Sequence, residues 1–225
     1  MSEITRARSS YIRSVVAERA TRSRVIFWRK KGKRASRLRR LLARQRADRV
    51  AKGKYYEKLK AANTPRNRAV KHATRMLGAK EVPAGSNKGP QVTSWQKSFG
   101  DWLVGQPWCG VYIGVALRHA GVNVNSRIAA VSFIEDDARA KRNGFKEWKT
   151  IKTSGRSGDV AVLFGRGVHA GLILRRDKKL GGYWIAEGNT SPGAGGSQSN
   201  GGGSYKRFRP YSAIHGIAVP DYKGE

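Results

Sequence analysis

The sequence predicts an α+β protein in which a basic helical arm precedes one domain, and that domain packs its helices on an antiparallel sheet. Three observations carry this. Residues 1–64 contain no proline and are rich in good helix formers. Residues 65–142 space their apolar side chains for helices between glycine stops, and residues 159–219 switch to short β-branched runs divided by turn residues. Helices first and strands second is the order of an α+β domain.

The arm is set apart by charge. The 225 residues carry 46 Lys+Arg against 15 Asp+Glu, a formal net charge of +31. Residues 1–64 hold 21 basic and 4 acidic side chains, a net of +17, and residues 65–225 hold the remaining +14 over far more chain. A field this positive selects polyanionic company: nucleic acid, anionic lipid or the phosphate polymers of a bacterial envelope. Two helices are expected, at about 8–28 and 34–60, broken near Lys31-Gly32-Lys33. They read either as solvated basic helices or as an anion-binding element.

Thr64-Pro65 then supplies an N-cap and a first-turn proline. The helix it starts carries Ala69, Val70, Ala73, Met76 and Leu77 on one face and stops at Gly78. Turn residues fill 83–90, a short helix is expected around 94–99, and further helices at 111–119 and about 131–142. Strands are expected at 159–164, 168–174, 183–187, 205–209 and 214–219, with the Gly- and Ser-rich stretch 189–203 as a mobile loop.

One cysteine excludes an intrachain disulfide and a cysteine-based zinc cluster. No apolar run approaches the roughly 18 residues of a membrane-spanning helix. The opening MSEITRARSS lacks the apolar core of a secretory signal, so a target outside the cytoplasm requires another route of export.

Cys109 falls at a predicted helix start, where unpaired N–H groups and the helix dipole favour a thiolate. A lone cysteine is more often an inert, buried side chain. Bulky Trp108 and minimal Gly110 beside it suit the floor of a groove, and Pro107 fixes the entry to the helix. His169 begins an apolar strand with glycines close on both sides, a rigid mount for a general base, although an isolated histidine there is more often structural. Glu187 closes the next strand, two residues before Asn189; a carboxylate or amide there suits the orienting of an imidazole, or simply a polar strand end.

Pro107-Trp108-Cys109-Gly110, Gly158-Asp159-Val160-Ala161-Val162, Val168-His169-Ala170-Gly171-Leu172-Ile173 and Glu187-Gly188-Asn189-Thr190-Ser191, in this order, resemble a CHAP domain. These cysteine, histidine-dependent amidohydrolase/peptidases are a papain-like family common among bacteriophage lysins. Glu81-Val82-Pro83-Ala84-Gly85-Ser86-Asn87 is similar to a stretch that precedes the cysteine in many phage-type members. The resemblance spans about residues 65–222. It implies a papain-like fold for 65–225, Cys109 as nucleophile, His169 as base, Glu187 as orienting partner and Asn189 as a second candidate for that role or a support to it. The N–H of Cys109 would form part of an oxyanion hole, with Gln106 and Trp108 as further oxyanion or groove candidates, while Asp159 would be structural. Residues 82–100 contain no Asp or Glu, so the calcium loop of some family members is not expected. His72, His119 and His215 lack metal-ligand spacing, and neither metal nor cofactor is expected. Trp95, Trp102, Trp108, Trp148 and Trp184 could line a glycan groove, although core packing is the commoner role of a tryptophan.

The implied function is cleavage of an amide bond in peptidoglycan, as an N-acetylmuramoyl-L-alanine amidase or an endopeptidase. Residues 1–64 would hold the enzyme on anionic envelope polymers or lipids, or bind nucleic acid non-specifically. The implied setting is a phage endolysin made in the host cytoplasm, with a virion-associated lysin as the alternative. A transpeptidase on the same chemistry, and a polyanion-binding structural protein with an inactive papain-like domain, are the competing expectations.

Overall fold

The computed structural model describes residues 1–31, 36–193, 196–197 and 200–224, in two compact units, Met1–Thr64 and Pro65–Glu225. The first is an antiparallel hairpin of α1 (Glu3–Lys30) and α2 (Ser36–Ala62). Most of the predicted break at Lys31-Gly32-Lys33 lies outside the described residues. Neither helix has a continuous apolar stripe, so the pair is joined by small and polar groups. Ala7, Ser14 and Thr21 are buried at seven-residue intervals on α1. Tyr11 stacks on Tyr56 with ring centres 6.3 Å apart, Tyr55 donates to Glu3 at 2.6 Å, and Glu18 accepts from Arg46 and Arg49 at 3.3 and 2.5 Å. Gly53 lets α2 pass the Tyr11 ring, which a β-carbon would approach to 3.1 Å.

The second unit contains α3 (Pro65–Arg75), α4 (Pro90–Lys97), α5 (Cys109–His119) and α6 (Val131–Arg139). Six strands follow: β1 (Phe145–Lys149), β2 (Val160–Leu163), β3 (His169–Asp177), β4 (Gly182–Thr190), β5 (Gly203–Pro210) and β6 (Ile214–Pro220). They form one antiparallel sheet in the order β1-β6-β2-β3-β4-β5. The α+β architecture follows the expected order. Strand β1 was not expected: three of its five residues are charged, and only pairing to β6 at the sheet edge makes a strand of it.

Alternation along the strands divides the core. Val160 and Val162 of β2, Ala170 and Leu172 of β3 and Ala186 of β4 face the helices, against Ala73, Ile113, Leu117 and Ile134. Ala161, Leu163, Ile173 and Ile185 face the other way, where the backbone at Gly155 covers Ile173 and Tyr183. Each of these fully buried Leu and Ile side chains contributes roughly 1.5–3 kcal/mol. The central helix α5 is buried for most of its length and lies close to β4. A β-carbon on Gly188 would come within 2.6 Å of Tyr112 and 2.7 Å of Trp108.

Asp159 is structural, as expected. It is buried, holds Arg66 at 2.6 Å and accepts from the N–H of Arg156 at 2.8 Å. The ends of the expected mobile loop 189–203 are built into the fold. Asn189 and Thr190 are buried, Thr190 pairs with Gly203, and Gly202 accepts from the N–H of Glu81 at 2.9 Å. Residues 194, 195, 198 and 199 of that loop lie outside the described residues. Among the described residues, no helix is long and apolar enough to cross a membrane.

Candidate active site

Cys109 is the first residue of α5, and no side chain caps that helix start. Its first-turn N–H groups are therefore open to an anion, at the positive end of the dipole. The tight approach of residues 128–129 explains Gly110, where a β-carbon would lie 1.9 Å from the Ile128 carbonyl oxygen. Cys109 is only 3% exposed, yet it lines a cleft of about 690 Å³ together with Trp102, Gln106, Arg127, Phe133 and Val168.

His169 opens β3 and is brought beside Leu163 by the turn 164–168 that joins β2 to β3. Its Nε2 lies 3.0 Å from Glu187 Oε2, with both side chains fully buried. A carboxylate only accepts, so Nε2 carries the proton in this pair. Nδ1 then faces the remaining neighbour. It makes no hydrogen bond of ordinary geometry with a described residue, but the Cys109 thiol stands close enough to act on the ring. Burial pulls the imidazole pKa down, and the bonding and charge of Cys109 and Glu187 outweigh it, lifting the group to about 9. The imidazolium therefore persists at neutral pH beside the sulfur.

Glu187 has a second partner that sequence inspection missed. Arg209 of β5 donates Nε to Oε1 at 2.7 Å and Nη2 to Oε2 at 2.5 Å, a two-point grip. Burial pushes this carboxyl up, while Arg209 and His169 pull it down further, so it stays ionised. Gly171 leaves the space for it: a β-carbon there would strike Glu187 Cγ at 2.7 Å. Phe164 completes the cluster, stacked at 17° on the His169 ring with Arg209 5.0 Å from its own ring centre. It holds a φ of 64°, a conformation costly for a bulky residue and one that persists only where packing dictates it.

Cys109, His169 and Glu187 are thus brought together, and two other candidates are not. Asn189 does not reach His169. Its φ of 55° and the break in β4–β5 pairing after Glu187 turn its side chain towards the 81–89 loop. In the amide orientation that satisfies its neighbours, it donates to Asn87 Oδ1 and Glu81 Oε1 at 3.2 Å and to the Gly201 carbonyl at 3.0 Å. Trp108 is not a groove residue. It is fully buried between Trp95 and Tyr112, and its Nε1 donates to Glu81 Oε1 at 2.8 Å. Glu81 also accepts from the N–H of Asn87 at 3.1 Å, so one buried carboxylate ties the 81–89 loop to the residue preceding Cys109. Gln106 is exposed and lines the cleft, and its carbonyl is fixed by Gln96 Nε2 at 2.8 Å. Of the tryptophans, exposed Trp102 lines the cleft, whereas Trp95 is buried.

Comparison with protein-family models, with curated proteins and with solved structures gives no match.

The other histidines sit outside this cluster. His72 stacks on His119 with ring centres 3.9 Å apart, and burial followed by repulsion from His119 lowers its pKa. His215 lies 3.0 Å from Glu135, with no thiol or hydroxyl partner among the described residues. Among the described residues, no group of three or more His, Cys, Asp or Glu side chains is placed to hold a metal ion.

Proposed function

We propose that the chain is a cysteine-nucleophile hydrolase of peptidoglycan amide bonds, with residues 65–225 acting as a papain-like, CHAP-type catalytic domain. One observation carries the proposal: His169 is held through Nε2 on ionised Glu187, with Nδ1 left for the Cys109 sulfur at the floor of an open cleft. Two buried charged groups dedicated to fixing one imidazole exceed what packing requires, because an unused buried ion pair contributes little net stability.

The sequence of steps follows from the positions. The sulfur attacks the carbonyl carbon of the amide, a C–S bond forms, and the carbonyl oxygen becomes an anion at the start of α5. The N–H of Cys109, at a helix start that no side chain caps, is a preorganised donor for it. The intermediate collapses, the C–N bond breaks, and the leaving amine takes the proton from His169. Water then attacks the thioester carbon, giving up a proton to the imidazole, the C–S bond breaks, and the acid is released with the thiolate and imidazolium restored. Throughout, Glu187 stabilises the charged ring and fixes its tautomer.

The basic hairpin supports an anionic surface as the place of action. Arg37, Arg39, Arg40 and Arg44 of α2 are exposed and have no partner among the described residues. The exposed aromatic of this helix, Tyr55, has its hydroxyl bonded to Glu3, so α2 offers charge far more than stacking platforms, which suits a phosphate-rich polymer better than base readout. The test is wall clearing by wild type and by Cys109→Ala. Loss of clearing in a folded variant is expected; clearing at the wild-type rate would overturn the proposal.

A further inference from the structure

We infer that Arg127 is the carboxylate-binding residue of the cleft, so that the substrate is an acidic peptide rather than its amidated counterpart. The inference rests on the hydrolase proposal for the reaction, but its recognition step stands apart from catalysis.

Among the described residues, the lining of the cleft that contains Cys109 has no Asp or Glu, and Arg127 is its one charged residue. The guanidinium is fixed on two sides. It lies 3.8 Å from the centre of the Phe133 ring, and its Nε points to Asp137 Oδ2 at a loose 3.4 Å. Its backbone is fixed as well, the N–H donating to Asn125 Oδ1 at 3.0 Å.

Asp137 does not need Arg127. That carboxylate already accepts from Arg142 at 2.8 Å and from Asn143 at 3.0 Å. Arg127 is the weakest of its three donors, and the terminal amino groups of Arg127 make no hydrogen bond with a described residue. A guanidinium has five N–H donors in a planar fork, and one is in use here. A structural arginine would spend more of them on the protein.

Stacking on Phe133 lowers the entropy lost when an anion is gripped, because the fork is already held in one plane. Ser126 and Ser132 also line the cleft and add hydroxyl donors beside the charge. Trp102, 67% exposed on the same cleft, offers a flat surface to an apolar or sugar face. A cell-wall stem peptide matches this chemistry: its γ-linked D-glutamate presents a free α-carboxylate close to several amide bonds.

The test compares two peptides that differ only at that group, L-Ala-γ-D-Glu-L-Lys and the same peptide with the α-carboxylate amidated. Calorimetric binding to full-length Cys109→Ala should favour the acid by about tenfold, the value of one charge-assisted contact. Arg127→Gln, made in the same Cys109→Ala chain, should erase the preference, and Arg127→Lys should keep part of it. A thermal melt confirms that each variant is folded. Equal binding of acid and amide, binding of neither, or a preference unchanged by Arg127→Gln would overturn the inference. Selective binding with no turnover by wild type sinks the hydrolase proposal and leaves the arginine subsite standing. Turnover of both peptides without selectivity does the reverse.

Discussion

Arg209 and His169 share one carboxylate: Glu187 takes the arginine at 2.7 and 2.5 Å and the imidazole at 3.0 Å, wholly out of water. Removing Arg209 leaves that buried charge half-paired. Arg209→Met is expected to cost about 3–5 kcal/mol in urea unfolding, the usual penalty for breaking a buried pair from one side. Adding Glu187→Gln should recover part of it, because no unpaired charge then remains. A cost below about 1 kcal/mol for Arg209→Met would mean that the grip contributes nothing.

The imidazole sets a pH limit. With its pKa lifted to about 9, His169 keeps its proton through neutrality, and hydrolysis should decline as pH rises through about 9. The same group governs stability. Its contribution is complete below the reference value of 6.5 and is lost as pH rises through about 9. Glu187 acts in the opposite direction, contributing above 4.5 and less as pH falls through its lowered folded value. Rate profiles and denaturation at pH 7 and 10 check both. A rate still flat at pH 10.5 would contradict the assignment.

Glu81 is predicted to matter without touching substrate. Glu81→Ala strands the buried N–H of Trp108 and frees Asn87 and Asn189. The expected loss is about 1–3 kcal/mol of stability, with a fall in kcat because Trp108 sets the start of α5. Glu81→Gln, which keeps an acceptor, should restore most of it.

The hairpin should act through charge. Changing Arg37, Arg39, Arg40 and Arg44 together to Gln is expected to weaken sedimentation with an anionic wall polymer, and raising salt should weaken it further. Hydrolysis of a small soluble stem peptide should be unchanged by either. If the variant sediments as wild type does at low salt, the anionic surface is bound elsewhere.

The helices and most strands were legible because their periodicity is local. Strand β1 was not, since Phe145-Lys146-Glu147-Trp148-Lys149 becomes a strand only by pairing with distant β6. At the site, Cys109, His169 and Glu187 each had a local signature: a helix start, a glycine-flanked strand start and a strand end. Arg209 had none, and the resemblance noted for the stretch 81–87 gave no sign that Glu81 bonds Trp108. Arg209 and Glu81 lie 22 residues beyond Glu187 and 27 before Trp108, and only the sheet order and the 81–89 loop bring them in. Trp108 misled because adjacent residues at a helix start point in different directions. Its ring enters the core while Cys109 reaches the cleft. Asn189 misled because its left-handed backbone breaks the alternation that would have put it beside His169.

The most direct test of a Cys109 nucleophile is mass spectrometry of purified cell walls digested by wild type and by Cys109→Ser. Wild type should release fragments with one recurrent new amine terminus, each a single amide cleavage, and the variant should release none. The same fragments from Cys109→Ser, or intact walls after exposure to the folded wild type, would contradict it.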